Sequence, residues 1–453
     1  MTQPVLELLD PASLLVDLNI RPADVDEDLV ASVADHGVLQ PIVATRTDDG
    51  AIRVRHGHRR TLAAIKAGRD QVPVVILTSD RVVLGGDVER VLAQYDENTR
   101  RRGLTPVEEA GVVQQLLDLG LTAADVAGRT RLGELRVAAA RRLNASAKAT
   151  AAAEHQGLTL DQAAAVAEFD DDDDAVRDLV AASAEGDGQF RQALQARRDD
   201  RDHKQARDDL AARLTADGVK IADKRPDFDY RISQLTTADG KPLTEKNHAK
   251  CPGRVAWLDE EWDHQARKSI WEVVWYCADP NAHGHRSVSG RKLGDGDIDL
   301  EAQRAERQRV LAGNKAWRSA RTVRREWLTG QLTATKPLKG ASRFIAEALA
   351  QRYTLRFALE RLNETGRELL GVKDDDGSAL SELVSRASET RATMITLALV
   401  IGAYEDCAGD DAWRYPGRYR ETGRYLTTLA GWGYELSAVE QAVADGKPFE
   451  AAK

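Results

Sequence analysis

Two short stretches carry the residue types of a nucleotide-phosphate site. His56-Gly57-His58-Arg59-Arg60 follows the apolar residues Ile52 and Val54 and precedes Thr61-Leu62-Ala63-Ala64-Ile65-Lys66-Ala67, the order of a strand, a loop and a helix. Glycine at such a junction lets the backbone come close to an anion. The helix N-terminus turns its amides toward that anion, and paired arginines present planar forks to phosphate oxygens. The second stretch, Glu97-Asn98-Thr99-Arg100-Arg101, offers Glu97 and Asn98 as oxygen donors to a divalent cation riding on the same phosphates. His58 and Arg101 complete the phosphate-facing set. By itself, an arginine pair after a strand is more often a solvated basic turn.

Two further constellations could do chemistry. Leu121 to Ala127 and Gly133 to Leu143 read as two short helices around a break at Arg129 to Leu132, the layout of a helix-turn-helix. The second helix would enter the major groove with Glu134, Leu135, Arg136 and Ala139 nearest base edges, while Arg129, Arg131, Arg141 and Arg142 face phosphates. An ordinary helical hairpin with solvated arginines has the same spacing, and the turn position where glycine is common holds Arg131. Further along, Cys251 and Cys277 with His283 or His285, and then His248, could form a Cys2His2 zinc site pinning a small β-rich module. Two buried thiols with surface histidines are the alternative.

The elements that must position these residues follow from pattern and punctuation. Asp28 to His36 reads as a helix ended by Gly37, Val38 to Ala44 and Ala51 to Val54 as strands, and Val72 to Leu77 as a buried strand. Thr105-Pro106-Val107-Glu108 is a capping box with proline at the first helical position. The acidic run Asp170 to Asp174 reads as an exposed loop, and Arg318 to Arg325 as a solvated amphipathic helix. The expected fold class is α+β and predominantly helical, in four domains. These are a small α/β unit over 1–98, a helix-turn-helix helical domain over 99–215, a β-rich module over 216–298 and a helical domain over 299–453.

Composition narrows the class. At 453 residues the chain exceeds one ordinary core. It shows no apolar run long enough to span a bilayer and no basic-then-apolar leader, which points to a soluble, cytoplasmic protein with no membrane partner. Three cysteines are too few for a disulfide framework. The net charge of -9 is unfavourable to nucleic acid overall, but the arginines cluster near Arg100 to Arg102 and from Arg129 to Arg142, where a local basic surface could form. All eight tryptophans lie at or beyond Trp257, so the chain changes character near residue 250.

In order, these pieces resemble the ParB family of partition proteins. Gly37-Val38-Leu39-Gln40-Pro41-Ile42-Val43 is similar to the family's helix-to-strand segment, and Gly57-His58-Arg59-Arg60 with Ala63-Ala64 to its Gly-x-Arg-Arg box. Glu97-Asn98-Thr99-Arg100-Arg101 with Leu104 to Ala110 is similar to its second box, and the helix-turn-helix follows at the expected distance. The resemblance covers about residues 8 to 200. It implies that Gln40, Gly57, Arg59 and Arg60 hold CTP, with Glu97 and Asn98 on Mg2+. It also implies a homodimer that loads on a palindromic site in double-stranded DNA, closes as a clamp on CTP, and works with a Walker-type ParA ATPase. His58 stands where the family commonly has glutamate, Leu62 where a further arginine is usual and Arg100 where glutamine is frequent, so any CTPase activity is expected to be weak. A ParB-like nuclease using the Glu97-Asn98 metal site, and a transcriptional repressor without nucleotide binding, are the alternatives to a DNA-associated partition or regulatory protein.

Overall fold

The computed structural model describes residues 5–16, 25–46, 50–77, 87–101, 103–263, 265–288, 300–334, 338–350, 364–372 and 378–450. The chain forms two compact units, Met1–Ala184 and Glu185–Lys453, where the sequence suggests four domains. Among the described residues no helix is long and apolar enough to cross a membrane.

The first unit opens with a four-stranded mixed sheet. Its strands are β1 (Val5–Leu9), β2 (Ile42–Arg46), β3 (Ile52–His56) and β4 (Val72–Leu77), in the order β1-β4-β2-β3. β4 runs parallel to β2, and the two outer pairs are antiparallel. Alternate residues Val72, Val74 and Ile76 are buried, as the period of a pleated strand requires, and share a core with Ile42, Ala44 and Val54. That core is covered by α1 (Glu27–His36) and α2 (His58–Lys66) through Val33, Ala63 and Ala64. The expected strand from Val38 starts instead at Ile42. Gly37 ends α1 with φ +71, and Pro41 lacks the N–H that a paired strand would use. The helix expected from Thr61 begins at His58, so the loop of the Gly-x-Arg-Arg stretch shrinks to Gly57 alone.

The remainder of this unit is helical: α3 (Asp87–Arg101), α4 (Pro106–Asp118), α5 (Ala123–Thr130), α6 (Glu134–Ala145), α7 (Ala147–Gln156), α8 (Leu160–Val166) and α9 (Asp173–Glu185). The expected boundary at 98/99 falls inside α3. Thr105 forms the expected capping box, its hydroxyl accepting from the Glu108 amide at 3.2 Å while the Glu108 carboxylate accepts from the Thr105 amide at 2.8 Å. Ser146 both closes α6 and caps α7, accepting from the Ala149 amide at 3.0 Å. The acidic run is more structured than a loop: Asp172 accepts from the Ala175 amide at the start of α9, and Lys148 pairs with Asp173 at 2.6 Å.

The second unit begins with the long helix α10 (Asp187–Ala216), which the sequence grouped with the helix-turn-helix. Gly188, Phe190, Gln192 and Leu214 are its buried positions. A three-stranded sheet follows, β5 (Lys220–Ile221) beside the long hairpin of β7 (Arg254–Asp263) and β8 (Lys268–Cys277), and β6 (Leu235–Thr236) pairs with β9 (Arg286–Ser287). Between β6 and β7 lies the single turn of α11 (Glu245–His248). The C-terminal helices are α12 (Leu300–Thr333), α13 (Ala341–Ala350), α14 (Glu364–Leu369), α15 (Ser378–Ser385), α16 (Glu389–Cys407), α17 (Arg420–Gly431) and α18 (Ala438–Ala444).

Arg318 to Arg325 is not the solvated face expected. Arg324 is fully buried, gripping Glu405 through Nε (2.6 Å) and Nη2 (3.0 Å) and Glu440 through Nη1 (2.5 Å). Arg321 donates to the Ala408 carbonyl at 3.1 Å and to Asp410 at 3.0 Å. Every third or fourth residue of an amphipathic helix faces the core, and here two of those positions are arginines whose charge is met by carboxylates.

Candidate nucleotide and nucleic-acid sites

Gly57 sits between β3 and α2 with φ +101, a left-handed conformation that side chains rarely adopt. It leaves the first amides of α2 without a side-chain cap, and these are the donors an anion would meet. Arg59 and Arg60 occupy that first turn and are fixed differently. Arg60 Nη1 donates to the carbonyls of Gln40 at 2.6 Å and Pro41 at 3.2 Å, two groups that the late start of β2 leaves available. Arg59 Nη2 pairs with Asp26, the N-cap of α1, at 2.8 Å. Gln40, Gly57, Arg59 and Arg60 thus converge where α1, β2 and α2 begin or end. His58 is buried beneath the turn rather than facing solvent. Asp26 carried no signal in the sequence, since its pairing with Arg59 spans the fold.

Glu97 and Asn98 lie on α3, Glu97 exposed and Asn98 half-buried, and α3 packs against α4 and α5. The side chain of Arg101 lies outside the described residues.

The second pair of short helices has the turn that the sequence suggests. Thr122 caps α5 in a reciprocal box with Asp125. The chain then reverses through Arg131 at φ +61 and Gly133 at φ +79 into α6. Arg131 takes the left-handed conformation itself, where glycine is usual. α5 and α6 pack on each other, and Val126, Ala127, Val137 and Ala140 on them are buried. The outward face of α6 consists of Glu134, Leu135, Ala138, Arg141 and Arg142, all exposed, with Leu135 90% exposed. Ala139, expected at base edges, is buried, and Ala138 takes its place. Arg136 also departs from expectation. Its Nε and Nη2 grip Glu109 on α4 at 2.5 and 2.8 Å, and the Glu109 side chain is 8% exposed. A bidentate pair of this kind fixes α6 on α4 and occupies the fork that a guanine would need. Arg129 is ion-paired with Glu89 on α3, and Arg142 lies 3.8 Å from Glu168.

The suspected metal ligands assemble with one exchange. His248, Cys251, Cys277 and His285 place their donor atoms within 4.8 Å of one another, while His283, expected among the better ligands, stays outside that set. Burial and the neighbouring Cys251 push the Cys277 thiol up to about 12, and burial with His285 nearby brings His248 down to about 4.

Comparison with known proteins bears on the first unit. Residues 12–84 match the ParB N-terminal domain. A probable chromosome-partitioning protein ParB of Treponema pallidum (strain Nichols) is 42% identical over 95 residues, 21% of this chain and 27% of the relative. The chromosome-partitioning protein Spo0J of Thermus thermophilus is 40% identical over 118 residues, 26% of this chain and 41% of the relative. A C-terminally truncated ParB of Caulobacter crescentus, solved with CTP-gamma-S, aligns at 25% identity over 38% of this chain and 96% of its own. Its TM-score of 0.18 is too low for its geometry to be carried across. The chain spans between about a quarter and a half of the length of the curated relatives it matches.

Proposed function

We propose that this protein is a sequence-specific DNA-binding ParB-type protein that acts in DNA partition or in gene regulation, with CTP as its switch. The observation that carries the DNA reading is the outward face of α6, where the fully presented Leu135 stands in line with Arg142, and Arg141 is exposed at the edge of the same face, beside the left-handed turn at Arg131. An apolar side chain at the tip of a groove-entering helix meets thymine methyl groups, and flanking arginines meet phosphates. The chromosome-partitioning relatives support the partition part of this reading.

The nucleotide half rests on Gly57 and the arginine pair. A triphosphate placed over the uncapped first turn of α2 would draw Arg59 from Asp26 and Arg60 from the Gln40 and Pro41 carbonyls. Nucleotide binding would thereby couple to the start of α1 and of β2, which is the kind of local charge change that biases a two-state element. Glu97 and Asn98 would carry the accompanying Mg2+, and a homodimer closing on CTP, with a ParA-type ATPase as partner, completes the clamp. The buried His58 in place of a carboxylate favours holding the nucleotide over hydrolysing it quickly.

Selection of bound sequences from a random duplex pool tests the DNA reading: a palindrome is expected, with discrimination weakened by Leu135→Ala and by Arg141→Ala. No enrichment by the intact protein would remove it. Calorimetric titration with CTP and Mg2+ tests the switch, with binding expected in the intact protein and lost in Arg60→Ala. Absence of CTP binding alongside an enriched palindrome would favour a repressor, and metal-dependent cutting of plasmid DNA lost in Glu97→Ala would favour a nuclease.

A further inference from the structure

We infer that His248, Cys251, Cys277 and His285 form a closed structural Zn2+ site that staples the β-rich part of the second unit. The four donor atoms lie within 4.8 Å of one another, and Cys251 Sγ stands 3.5 Å from His285 Nε2. In a tetrahedral zinc site with metal–sulfur bonds of about 2.3 Å and metal–nitrogen bonds of about 2.05 Å, a sulfur–nitrogen edge measures about 3.6 Å. The observed separation is that edge, with space at its centre for the ion.

The surroundings point inward in the same way. His248 is 1% exposed, and its Nε2 is buried without a hydrogen-bond partner. A histidine held like this with nothing to bond is an anomaly that metal ligation resolves. Cys277 is fully buried. Gly253 passes close behind the cluster: a side chain there would come within 2.7 Å of Cys277 Sγ and 2.4 Å of the His283 ring. The backbone after Cys251 is therefore drawn in against the Cys277 thiol.

The chain delivers each ligand from an ordered turn. The capping box of Thr244 starts the single turn of α11 that ends on His248, and the Cys251 amide closes back on the His248 carbonyl at 3.0 Å. Cys277 ends β8. Asp279 then caps the following loop by accepting from the Ala282 amide at 3.0 Å, and the His285 amide donates to the Pro280 carbonyl at 2.8 Å. The ligands thus come from three separate pieces of chain: the α11 turn, the end of β8 and the loop leading into β9. The apolar cluster beside them has four buried residues, Ile232, Leu235, Leu243 and Cys277, of which Leu235 and Cys277 are fully buried. A core this small needs a cross-link of some kind, and the three cysteines of the chain are not disulfide-bonded. Four protein donors close the coordination shell, so the ion would hold structure and leave no position for a substrate or water.

The test uses the full chain, purified reduced, without a metal-binding tag and without chelator. Elemental analysis should give one zinc per chain, and replacement by Co2+ should produce the visible bands of tetrahedral cobalt with a thiolate charge-transfer band. Cys251→Ser and His285→Ala should lose the metal, and His283→Ala should keep it. If the ligand variants do not fold, the cobalt spectrum of the unaltered protein decides by itself. Zinc far below one per chain after reconstitution, a cobalt spectrum without thiolate bands, or full zinc retention in Cys251→Ser would overturn the assignment.

Discussion

Arg136 is by its contacts a structural arginine. Its guanidinium makes both forks of a bidentate pair with Glu109, whose side chain is 8% exposed against 47% for Arg136 itself. Removing one partner of a buried ion pair costs about 3–5 kcal/mol because the other charge stays buried and unpaired. Here the arginine is half in water, and water can follow it into the gap. The expected cost of Arg136→Ala is therefore smaller, about 1–2 kcal/mol. Glu109→Gln should cost less, since the freed guanidinium can turn to solvent. The double variant Arg136→Ala with Glu109→Gln should be more stable than Arg136→Ala alone, because no carboxylate is left stranded. The molecule provides its own assay for this. All eight tryptophans lie in the second unit, so tryptophan fluorescence follows that unit alone, whereas far-ultraviolet circular dichroism follows both. Arg136→Ala should lower the melting transition seen by dichroism by about 2–4 °C per kcal/mol and leave the fluorescence transition in place. Equal stability of the single and double variants would refute the structural role. So would a variant of unchanged stability that loses discrimination at one base position, which would make Arg136 a base reader.

Two other perturbations follow from the same geometry. Arg131 holds φ +61, a conformation costing a side chain about 1–2 kcal/mol, so Arg131→Gly should raise the dichroism transition of the first unit. The same change should weaken DNA binding evenly across sequences and reduce its salt dependence by about one phosphate contact, as measured by titration at several salt concentrations. In the second unit, burial would raise the Glu405 carboxyl, but the charge and hydrogen bonds of Arg324, with Arg325 and Arg321 near, bring it from an ordinary 4.5 down to about 2. A folded-state value below the unfolded one gives stability that is present above 4.5 and lost as pH falls through about 2. Acid unfolding followed by tryptophan fluorescence should therefore develop across that window, and Glu405→Gln should remove this part of the pH dependence while destabilising the unit at neutral pH.

What the sequence made legible was local. The glycine between β3 and α2, the capping box at Thr105, the two helices around Arg131 and the cysteine and histidine set of the β-rich module are all announced by residue type or local pattern. The first three depend on backbone conformation or on short turns, which neighbouring residues determine, while the cysteines and histidines are legible by residue type although the fold brings them together from 37 residues apart. The first limit appears at boundaries: α3 runs through the expected end of the first domain, and α10 joins the second unit, because which face packs where depends on partners far along the chain. The Asp26–Arg59 pair and the choice of His285 over His283 fail to show for the same reason.

The arginines mark the deeper limit. Arg141 and Arg142 lie exposed on α6, Arg136 is clamped to Glu109, and Arg324 is sealed between Glu405 and Glu440, yet all four stand in helices of similar charge and spacing. A basic run in sequence reports only how many cations a helix carries. Which of them can meet a phosphate is decided by the carboxylates opposite, and those sit at sequence separations of 27, 81 and 116 residues. Charge clustering therefore overstates how many arginines these helices present to a partner, and the proposed DNA reading rests on the exposed face of α6 rather than on the count of arginines. Leu135 is 90% exposed at the entry of α6, about two turns from the exposed Arg142, and in the proposed reading the duplex is what covers it. If Leu135→Ala and Leu135→Asp bound DNA as tightly and as selectively as the parent, that role for the face would be lost, whatever the arginines contribute.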